Sequence, residues 1–307
     1  MTMDRTQHWL YQFEGVVSAL VTPLDSNGKI DANAVRRLVD LQISSDVPAI
    51  MIGGTTGEFM AMDEQERREL VEVFAEATAG RAKIIANIGH VDYNKSIRLA
   101  EHAKSVGVDA VAAITPYFLP FTEDAVETYL RNLARSVPDT AVMAYHFPRN
   151  ATNDLKSASF GRLLEEPNFL GVKCSVGSLE EVLPFLEFRA EATIMSGNDE
   201  IFNEFVLAGG RSVVSGNASV FPELIVTMFA KCLAGEWSAQ ESELMNDIAS
   251  AGRHGAPDRL KELLRRRGVT SEFSHVVTHT MEDVLRDGND DAAVRVEQSL
   301  ETVGSKS

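Results

Sequence analysis

Lys173 is the residue of this sequence whose surroundings best suit covalent chemistry. It lies near the end of an apolar run, residues 169–175, in which alternate side chains share a face if the run is a strand. If Leu170 and Val172 pack under outer helices, Lys173 points the other way, into an apolar interior. Such a cavity disfavours the ammonium form, and a neutral amine is the nucleophile that forms a Schiff base with a carbonyl compound. The same spacing also fits a lysine of an edge strand that extends into solvent.

Two other segments contain groups that would complement such an amine. Tyr145 lies in the preceding apolar run, and neighbouring parallel strands lie roughly 5 Å apart, so its phenol could share a pocket with Lys173 and relay protons. A tyrosine that only fills the core fits this position equally well. Gly54, Thr55 and Thr56 form a turn in which free N–H groups and two hydroxyls suit a small carboxylate. No Gly-Lys-Ser/Thr follows, which excludes a Walker phosphate loop.

Short apolar runs of this kind recur along the chain and alternate with amphipathic segments. Eight runs are rich in Val, Ile and Ala, as buried strands of parallel sheets are, and they cover residues 15–24, 49–54, 83–88, 110–114, 141–147, 169–175, 193–197 and 212–216. Helix-like segments between them include residues 32–45, 63–79, 96–106, 124–136 and 179–188. Eight strand–helix units of roughly 28 residues each predict an α/β protein with a (β/α)8 barrel, in which the strand C-termini form the active-site face.

An open, doubly wound sheet is the alternative arrangement of the same elements. The turn after the first run, residues 22–25, contains no Gly-x-Gly-x-x-Gly sequence to hold a dinucleotide, which favours the barrel. The end of the chain shows no further strand pattern, and its residues 258–267 and 281–286 are helix-like. We therefore expect a barrel domain over residues 1–237 and a C-terminal helical appendix over residues 238–307.

Charge and hydropathy exclude several classes of protein as first expectations. The 307 residues carry 45 acidic and 29 basic side chains, a formal net charge of −16. Nucleic acids and anionic membrane surfaces both require Lys and Arg, so we expect neither as a partner. No apolar run approaches the roughly 20 residues that span a bilayer, and residues 1–12 lack the apolar core of a signal peptide. We expect a soluble, cytoplasmic protein.

The sequence offers little to a metal ion or a disulfide. Cys174 and Cys232 are the two cysteines, too few for a disulfide framework or a thiolate metal site. His275 and His279 are four residues apart, as ligands on one helix face are, but no carboxylate completes a His-Glu-x-x-His motif. We therefore expect no metal and no cofactor.

Three segments taken together resemble one enzyme family. They are Gly54-Thr55-Thr56-Gly57-Glu58, Tyr145 with Pro148, and Gly171-Val172-Lys173. Their order and spacing are similar to those of the dihydrodipicolinate synthase/N-acetylneuraminate lyase family, and the resemblance extends from about residue 15 to residue 233. It implies a (β/α)8 barrel with C-terminal helices, class I aldolase chemistry without a metal, and a homo-oligomer, usually a tetramer.

The resemblance also implies a role for individual residues. Lys173 would form the Schiff base with pyruvate or another 2-oxo acid, and Tyr145 would shuttle protons. Thr55 and Thr56 would hold the pyruvyl carboxylate. Val214, in the eighth run, falls where the family lines the pocket with a backbone carbonyl and a branched side chain.

Two positions depart from the synthase branch of that family. Its Thr-Pro-Tyr-Tyr stretch supplies a second tyrosine to the proton relay across a subunit interface, whereas Phe118 has no hydroxyl. That branch also has an arginine five residues after the catalytic tyrosine, for the carboxylate of the aldehyde substrate. Asn150 occupies this position, and Arg149 lies one residue early. Asn150 remains a candidate binding residue, and both departures count against synthesis of the lysine precursor.

The segment after the seventh run is similar to the lyase branch that acts on sialic acid. Asn198, Asp199 and Glu200 precede Ile-Phe, and in that branch the acidic pair accepts hydrogen bonds from substrate hydroxyls. The alternative is helix capping, with Asn198 as the N-cap and the two carboxylates near a helix N-terminus. Both roles are compatible with the sequence.

These observations favour a Schiff-base lyase or aldolase, or a dehydratase, that acts on a hydroxylated 2-oxo acid such as a 2-keto-3-deoxy sugar acid. The alternative within the family is 4-hydroxy-tetrahydrodipicolinate synthase, which condenses pyruvate with aspartate semialdehyde. An alternative of another class is a non-catalytic protein that binds a 2-oxo acid. A homotetramer is expected, with a dimer as the alternative.

Overall fold

The barrel expected from the apolar runs is confirmed. The computed structural model describes residues 12–270, 273–278 and 288–304. Eight parallel strands among them close into a barrel in chain order, with β8 hydrogen-bonded to β1. The strands are β1 (Gly15–Ala19), β2 (Ala49–Ile52), β3 (Lys83–Asn87), β4 (Ala110–Ile114), β5 (Ala141–His146), β6 (Phe169–Cys174), β7 (Thr193–Ser196) and β8 (Ser212–Ser215).

Helices follow the strands on the outside of the barrel and continue beyond β8. They are α1 (Ala32–Ser44), α2 (Glu64–Thr78), α3 (Tyr93–Val106), α4 (Glu123–Ser136), α5 (Pro148–Ala151), α6 (Ser157–Leu163), α7 (Leu179–Leu186), α8 (Phe202–Leu207), α9 (Pro222–Ala234), α10 (Ala239–Ala251), α11 (Pro257–Arg266) and α12 (Asn289–Gly304). The helix predicted over 281–286 and the predicted partner His279 lie outside the described residues.

The first strand is shorter than predicted, since it ends at Ala19 rather than at residue 24. Pro23 excludes the last residues of the predicted run, because proline has no N–H to donate and is excluded from the interior of a strand with partners on both sides. After Ala19 the chain leaves the barrel, and Leu24 forms an isolated antiparallel bridge with Ile30. The residues after Ala19 therefore form a loop at the C-terminal face.

Two apolar clusters follow from the alternation of side chains along the strands. Residues such as Val17, Met143 and Val214 fill the barrel interior, whereas Val16 and Val142 pack between the strands and the surrounding helices. Both clusters are buried, which accounts for the continuous apolar character of the runs.

The pairing of β5 with β6 contains an irregularity that corrects one expectation. Val142 pairs with Phe169, but Met143 pairs with Gly171, so Leu170 is an extra residue on β6. The alternation predicted that Leu170 packs under the outer helices, but the extra residue places it inside the barrel. Phe169 packs outside. The irregularity precedes Gly171, so Lys173 still points into the barrel.

The C-terminal helices pack against one another and against the last barrel helix. Arg295 of α12 forms an ion pair with Asp247 of α10, at 2.6 Å. Lys231 of α9 and Glu241 of α10 form a second ion pair, which joins the appendix to the barrel. Among the residues that the structure describes, no helix is long and apolar enough to cross a bilayer.

An ion pair on the surface of α2 allows the contribution of one charge pair to stability to be measured. Arg98 donates to both carboxylate oxygens of Glu64, at 2.9 and 2.6 Å, and lowers the pKa of Glu64 from 4.5 to about 2. We expect Glu64→Gln to lower the free energy of unfolding at pH 7 by about 1 kcal/mol, since the pair is near the surface. Because the folded-state pKa is depressed, the difference should shrink as the pH falls from 4.5 towards 2.

Urea unfolding of both proteins across this pH range measures the difference. Glu69→Gln, on an exposed position of the same helix, is the matched control and should change the free energy of unfolding by less. An equal loss in both variants, or a loss independent of pH, would contradict the assignment to the Glu64–Arg98 pair.

Candidate active site

Three polar side chains meet at the C-terminal ends of the strands. Lys173 on β6 is the register partner of Tyr145 on β5, and its Nζ lies 4.0 Å from the centre of the tyrosine ring. The Tyr145 hydroxyl is 3.0 Å from Oγ1 of Thr55, which follows β2. Tyr145 and Lys173 are only 1% and 7% exposed. The structure thus brings together an amine, a phenol and an alcohol in a buried site.

The wall of this site approaches the Lys173 side chain closely at one glycine. Gly197, after β7, passes so close that a Cβ there would lie 2.8 Å from Cε of Lys173 and 2.2 Å from Oγ of Ser175. Val214 on β8 is 3% exposed and belongs to the interior cluster. Cys174, on the opposite face, is buried in the outer cluster, and burial raises the pKa of its thiol. It is therefore not a competing nucleophile in the pocket.

The turn after β2 has a fixed conformation. Gly57 donates to the carbonyl of Gly54 at 3.1 Å, and Glu58 donates to the carbonyl of Thr55 at 3.0 Å. Thr56 faces β8, since its Oγ1 lies 3.3 Å from the position that a Cβ on Gly216 would occupy. Thr55 and Thr56 are partly exposed and are therefore accessible to a ligand that enters from the barrel mouth.

The three polar residues after β7 have different surroundings. Asn198 accepts from the N–H of Glu200 at 2.9 Å and donates to the carbonyl of Val176 at 3.0 Å, which is the capping role predicted as its alternative. Glu200 is exposed, and its Oε1 lies 3.0 Å from Nδ1 of His254 in the C-terminal appendix. Asp199 alone of the three turns towards β8.

Asp199 is held by two donors at the mouth of the barrel. The Ser215 hydroxyl and the Asn217 amide each donate to its Oδ2 at 2.8 Å. Burial raises the pKa of the Asp199 carboxyl above its usual value, while both donors and the charge of Lys173 act in the opposite direction.

The residues that depart from the synthase pattern are exposed. Phe118 is 85% exposed and has a left-handed backbone, with φ of 76°. Asn150 and Arg149 both lie on the exposed surface of α5.

His275 contacts the ring of Phe273, with ring centres 6.1 Å apart. No group of three or more His, Cys, Asp or Glu within the described ranges is placed to hold a metal ion.

Comparison with known proteins decides the family. A model of the dihydrodipicolinate synthetase family matches residues 12–280. The chain belongs to this family. Family membership makes it an enzyme of the class I aldolase type, a carbon–carbon or carbon–oxygen lyase, and agrees with the resemblance seen in the sequence motifs.

The proteins similar to this chain include both synthases and a sialic acid aldolase. It is 34% identical to 4-hydroxy-tetrahydrodipicolinate synthase of Methylococcus capsulatus over 75% of the chain and 79% of the relative. The dihydrodipicolinate synthase of Acinetobacter baumannii, solved in complex with pyruvate, has 24% identity and a TM-score of 0.85 over 93% and 99% of the two chains. A catalytic lysine mutant of Ruminococcus gnavus sialic acid aldolase has 22% identity and a TM-score of 0.86 over 95% and 98%. The two solved structures show the shared fold.

Several contacts of this site were not predicted from the sequence, although two of the residues had a signal that could have pointed to them. Phe147 stacks on Tyr145 with ring centres 5.8 Å apart, and its place in the fifth apolar run could have suggested a pocket wall. Ser215 ends β8 and could have been read in the same way. His254, in contrast, lies in a short turn of the appendix, far along the chain from Glu200, and no local pattern predicts their contact.

The hydrogen bond between Thr55 and Tyr145 leads to a measurable prediction. Thr55→Val keeps the shape of the side chain and removes the hydroxyl, so that one hydrogen bond worth about 1–1.5 kcal/mol is lost. If the Thr55 hydroxyl also binds the substrate carboxylate, as the family resemblance implies, we expect the KM for pyruvate to rise about tenfold with a smaller effect on kcat. Steady-state kinetics measure this, with Thr78→Val, a buried threonine of α2, as the control. An unchanged KM would contradict the binding role that the family resemblance implies for Thr55.

Proposed function

We propose that this family member forms a Schiff base between Lys173 and pyruvate or another 2-oxo acid, and makes or breaks a carbon–carbon bond next to the imine. The observation that carries the proposal is the contact of the Lys173 amine with the ring of Tyr145, whose hydroxyl is bonded to Thr55. An amine, a proton carrier and a carboxylate-binding turn are the groups that imine chemistry requires.

The proposed reaction begins when Nζ of Lys173 attacks the carbonyl carbon of the 2-oxo acid. The carbonyl electrons move to oxygen and give a carbinolamine, which loses water with a proton delivered by the Tyr145 hydroxyl. The resulting protonated imine withdraws electrons. The Tyr145 phenolate left by that step takes a proton from C3 and gives an enamine. The enamine carbon attacks an aldehyde, whose oxygen receives the proton back from Tyr145, and the reverse flow cleaves the C3–C4 bond. Thr55 and Thr56 hold the carboxylate throughout, and hydrolysis frees the lysine.

For the distal substrate, the comparisons support synthesis of 4-hydroxy-tetrahydrodipicolinate better than the sugar-acid reading that the sequence favoured. The supporting relatives include the Methylococcus capsulatus synthase, at 34% identity, and the Porphyromonas gingivalis synthase, at 30%. We therefore propose condensation of pyruvate with aspartate semialdehyde as the first candidate reaction.

A specific observation favours a second candidate, the cleavage or dehydration of a hydroxylated 2-oxo acid. Phe118 has no hydroxyl for a proton relay, and Asn150 occupies the position of the synthase arginine. At the same time the partly buried Asp199 lies at the barrel mouth, where a carboxylate suits the hydroxyls of a sugar acid. We propose Asp199 and the exposed Glu200 as the residues that would accept those hydrogen bonds, with Asn198 holding the turn.

A substrate panel separates the two candidates. The purified enzyme is assayed with pyruvate and aspartate semialdehyde, and separately with N-acetylneuraminate and 2-keto-3-deoxygluconate, with Lys173→Ala as the blank. The first candidate predicts a kcat/KM for the condensation within the ordinary enzymatic range, about 10⁴ M⁻¹s⁻¹ or more, and inertness towards the sugar acids. Turnover of a sugar acid alone would replace it by the second candidate. Inertness of all substrates in an enzyme that binds pyruvate would favour the non-catalytic alternative.

Three coarser expectations accompany this proposal. We propose a homo-oligomer, a tetramer or a dimer, which sedimentation of the purified chain tests. We propose a barrel domain that ends at residue 237 and an appendix that follows it, as the sequence pattern predicts. We also propose a cytoplasmic location.

A further inference from the structure

Glu58 closes the proposed carboxylate-binding turn, and its own carboxyl group contacts the C-terminal appendix. Its side chain is fully buried. Its backbone is left-handed, with φ of 61° and ψ of 31°, a conformation that is rare for a residue with a side chain. The N–H of Glu58 donates to the carbonyl of Thr55 at 3.0 Å. The position of Glu58 therefore fixes the backbone next to Thr55.

The partners of this carboxylate come from the C-terminal appendix. Lys261 of α11, also fully buried, forms an ion pair with Oε2 of Glu58. The backbone N–H of Val276 donates to Oε1 at 2.8 Å, and Lys261 also donates to the carbonyl of Phe273 at 3.1 Å. The two carboxylate oxygens are thus tied to two separate segments of the appendix, more than 200 residues away in the sequence.

Stability alone is a weak explanation for this arrangement. Two buried charges contribute little net stability over a well-packed apolar pair, because removing both from water offsets most of their attraction. Burial lowers the pKa of Lys261, which reflects this cost. The left-handed backbone of Glu58 adds strain, and residues of this kind cluster at functional sites. What the pair supplies over an apolar contact is direction, since its hydrogen bonds define one orientation of the turn.

We propose that the Glu58–Lys261 ion pair is a positioning element that holds the Gly54–Glu58 turn in the geometry that binds the 2-oxo acid carboxylate. The appendix is then a working part of the binding site and not only a cover of the barrel. This inference rests on the proposed role of Thr55 and Thr56 in holding that carboxylate.

A double variant separates positioning from stability. Glu58→Leu with Lys261→Met replaces the pair by apolar side chains and leaves no unpaired buried charge. We expect a modestly lower melting temperature, because the Val276 N–H loses its acceptor. We also expect a KM for pyruvate raised about tenfold or more and a kcat within about threefold. The matched control is Glu241→Leu with Lys231→Met, which removes the α9–α10 ion pair and should leave the KM unchanged.

A readout that does not involve pyruvate keeps this test independent of the proposed function. Amide hydrogen exchange of residues 54–59 should be faster in the Glu58 double variant and unchanged in the control variant. Borohydride trapping of the parent enzyme tests the proposed function by itself. If trapping fails while exchange is faster, the proposed chemistry is wrong and the positioning of the turn stands.

Two outcomes would overturn the inference. The first is an unchanged KM together with unchanged exchange in a folded double variant. If the double variant does not fold, Glu58→Gln takes its place, because it keeps the size of the side chain and can still accept from Val276. The second is therefore a parental KM and parental exchange in Glu58→Gln, which would show that the charge does not position the turn.

Discussion

Replacing Lys173 by alanine should abolish both turnover and covalent capture of pyruvate. The parent enzyme, treated with pyruvate and borohydride, should give a reduced pyruvyl adduct that intact mass and peptide mapping locate on Lys173. In Lys173→Ala the adduct should be absent, and kcat/KM should fall about 10⁴-fold or more, because the nucleophile of the covalent route is lost. The fold should persist, since the Asp199 carboxyl keeps its two donors, Ser215 and Asn217, when the lysine side chain is removed.

A second lysine provides the control for this experiment. Lys156→Ala removes an exposed lysine that is paired with Asp154, and it should keep both adduct and turnover at the level of the parent. An adduct that persists in Lys173→Ala, or one that maps to another lysine, would contradict the assignment. The absence of any adduct in a folded parent that binds pyruvate would bring the non-catalytic alternative to the front.

Tyr145→Phe should separate the formation of the site from proton transfer. The ring contacts with Lys173 and Phe147 remain, so the pocket keeps its shape. Loss of the hydroxyl removes the proposed proton carrier, and we expect kcat to fall about 10²–10⁴-fold. Borohydride trapping should still label Lys173, but more slowly. The measurement is the rate of trapping beside the steady-state kcat.

Tyr129→Phe is the matched control for that variant. Tyr129 is a buried tyrosine of α4 whose hydroxyl lies 3.0 Å from Oγ of Ser96, outside the site. Its loss should affect stability and leave kcat nearly unchanged. If both variants lose activity equally and unfold at lower temperature, the effect of Tyr145 is structural. If Tyr145→Phe keeps the parental kcat, another group carries the proton.

The sequence was sufficient to predict the fold because short-range physics determines most of it. Each strand coincides with an apolar run, since β4 and its neighbours are buried on both faces. The inward direction of Lys173 was also predictable from alternation, although the extra residue at Leu170 broke that alternation one step earlier. The proximity of Tyr145 to Lys173 followed from the pairing of neighbouring strands.

Contacts between segments that are distant in the chain could not be predicted from the sequence pattern. Lys261 lies in an amphipathic helix, where a lysine is expected on the solvated face, yet it is fully buried against Glu58. Whether Asp199 turns inward and Glu200 outward depends on Ser215, Asn217 and the backbone of the turn between them. Such choices are decided by tertiary packing, for which a single sequence carries no periodic signal.

The irregularity between β5 and β6 lies between the base of the barrel and the end that carries Tyr145 and Lys173. Val142 opposes Phe169 below it, and Tyr145 opposes Lys173 above it, with the extra residue between the two pairs. A chain shortened by Leu170 would pair regularly and still present Lys173 to Tyr145. Insertion or deletion of one residue at this point of β6 is therefore compatible with a Lys173 side chain that points into the barrel.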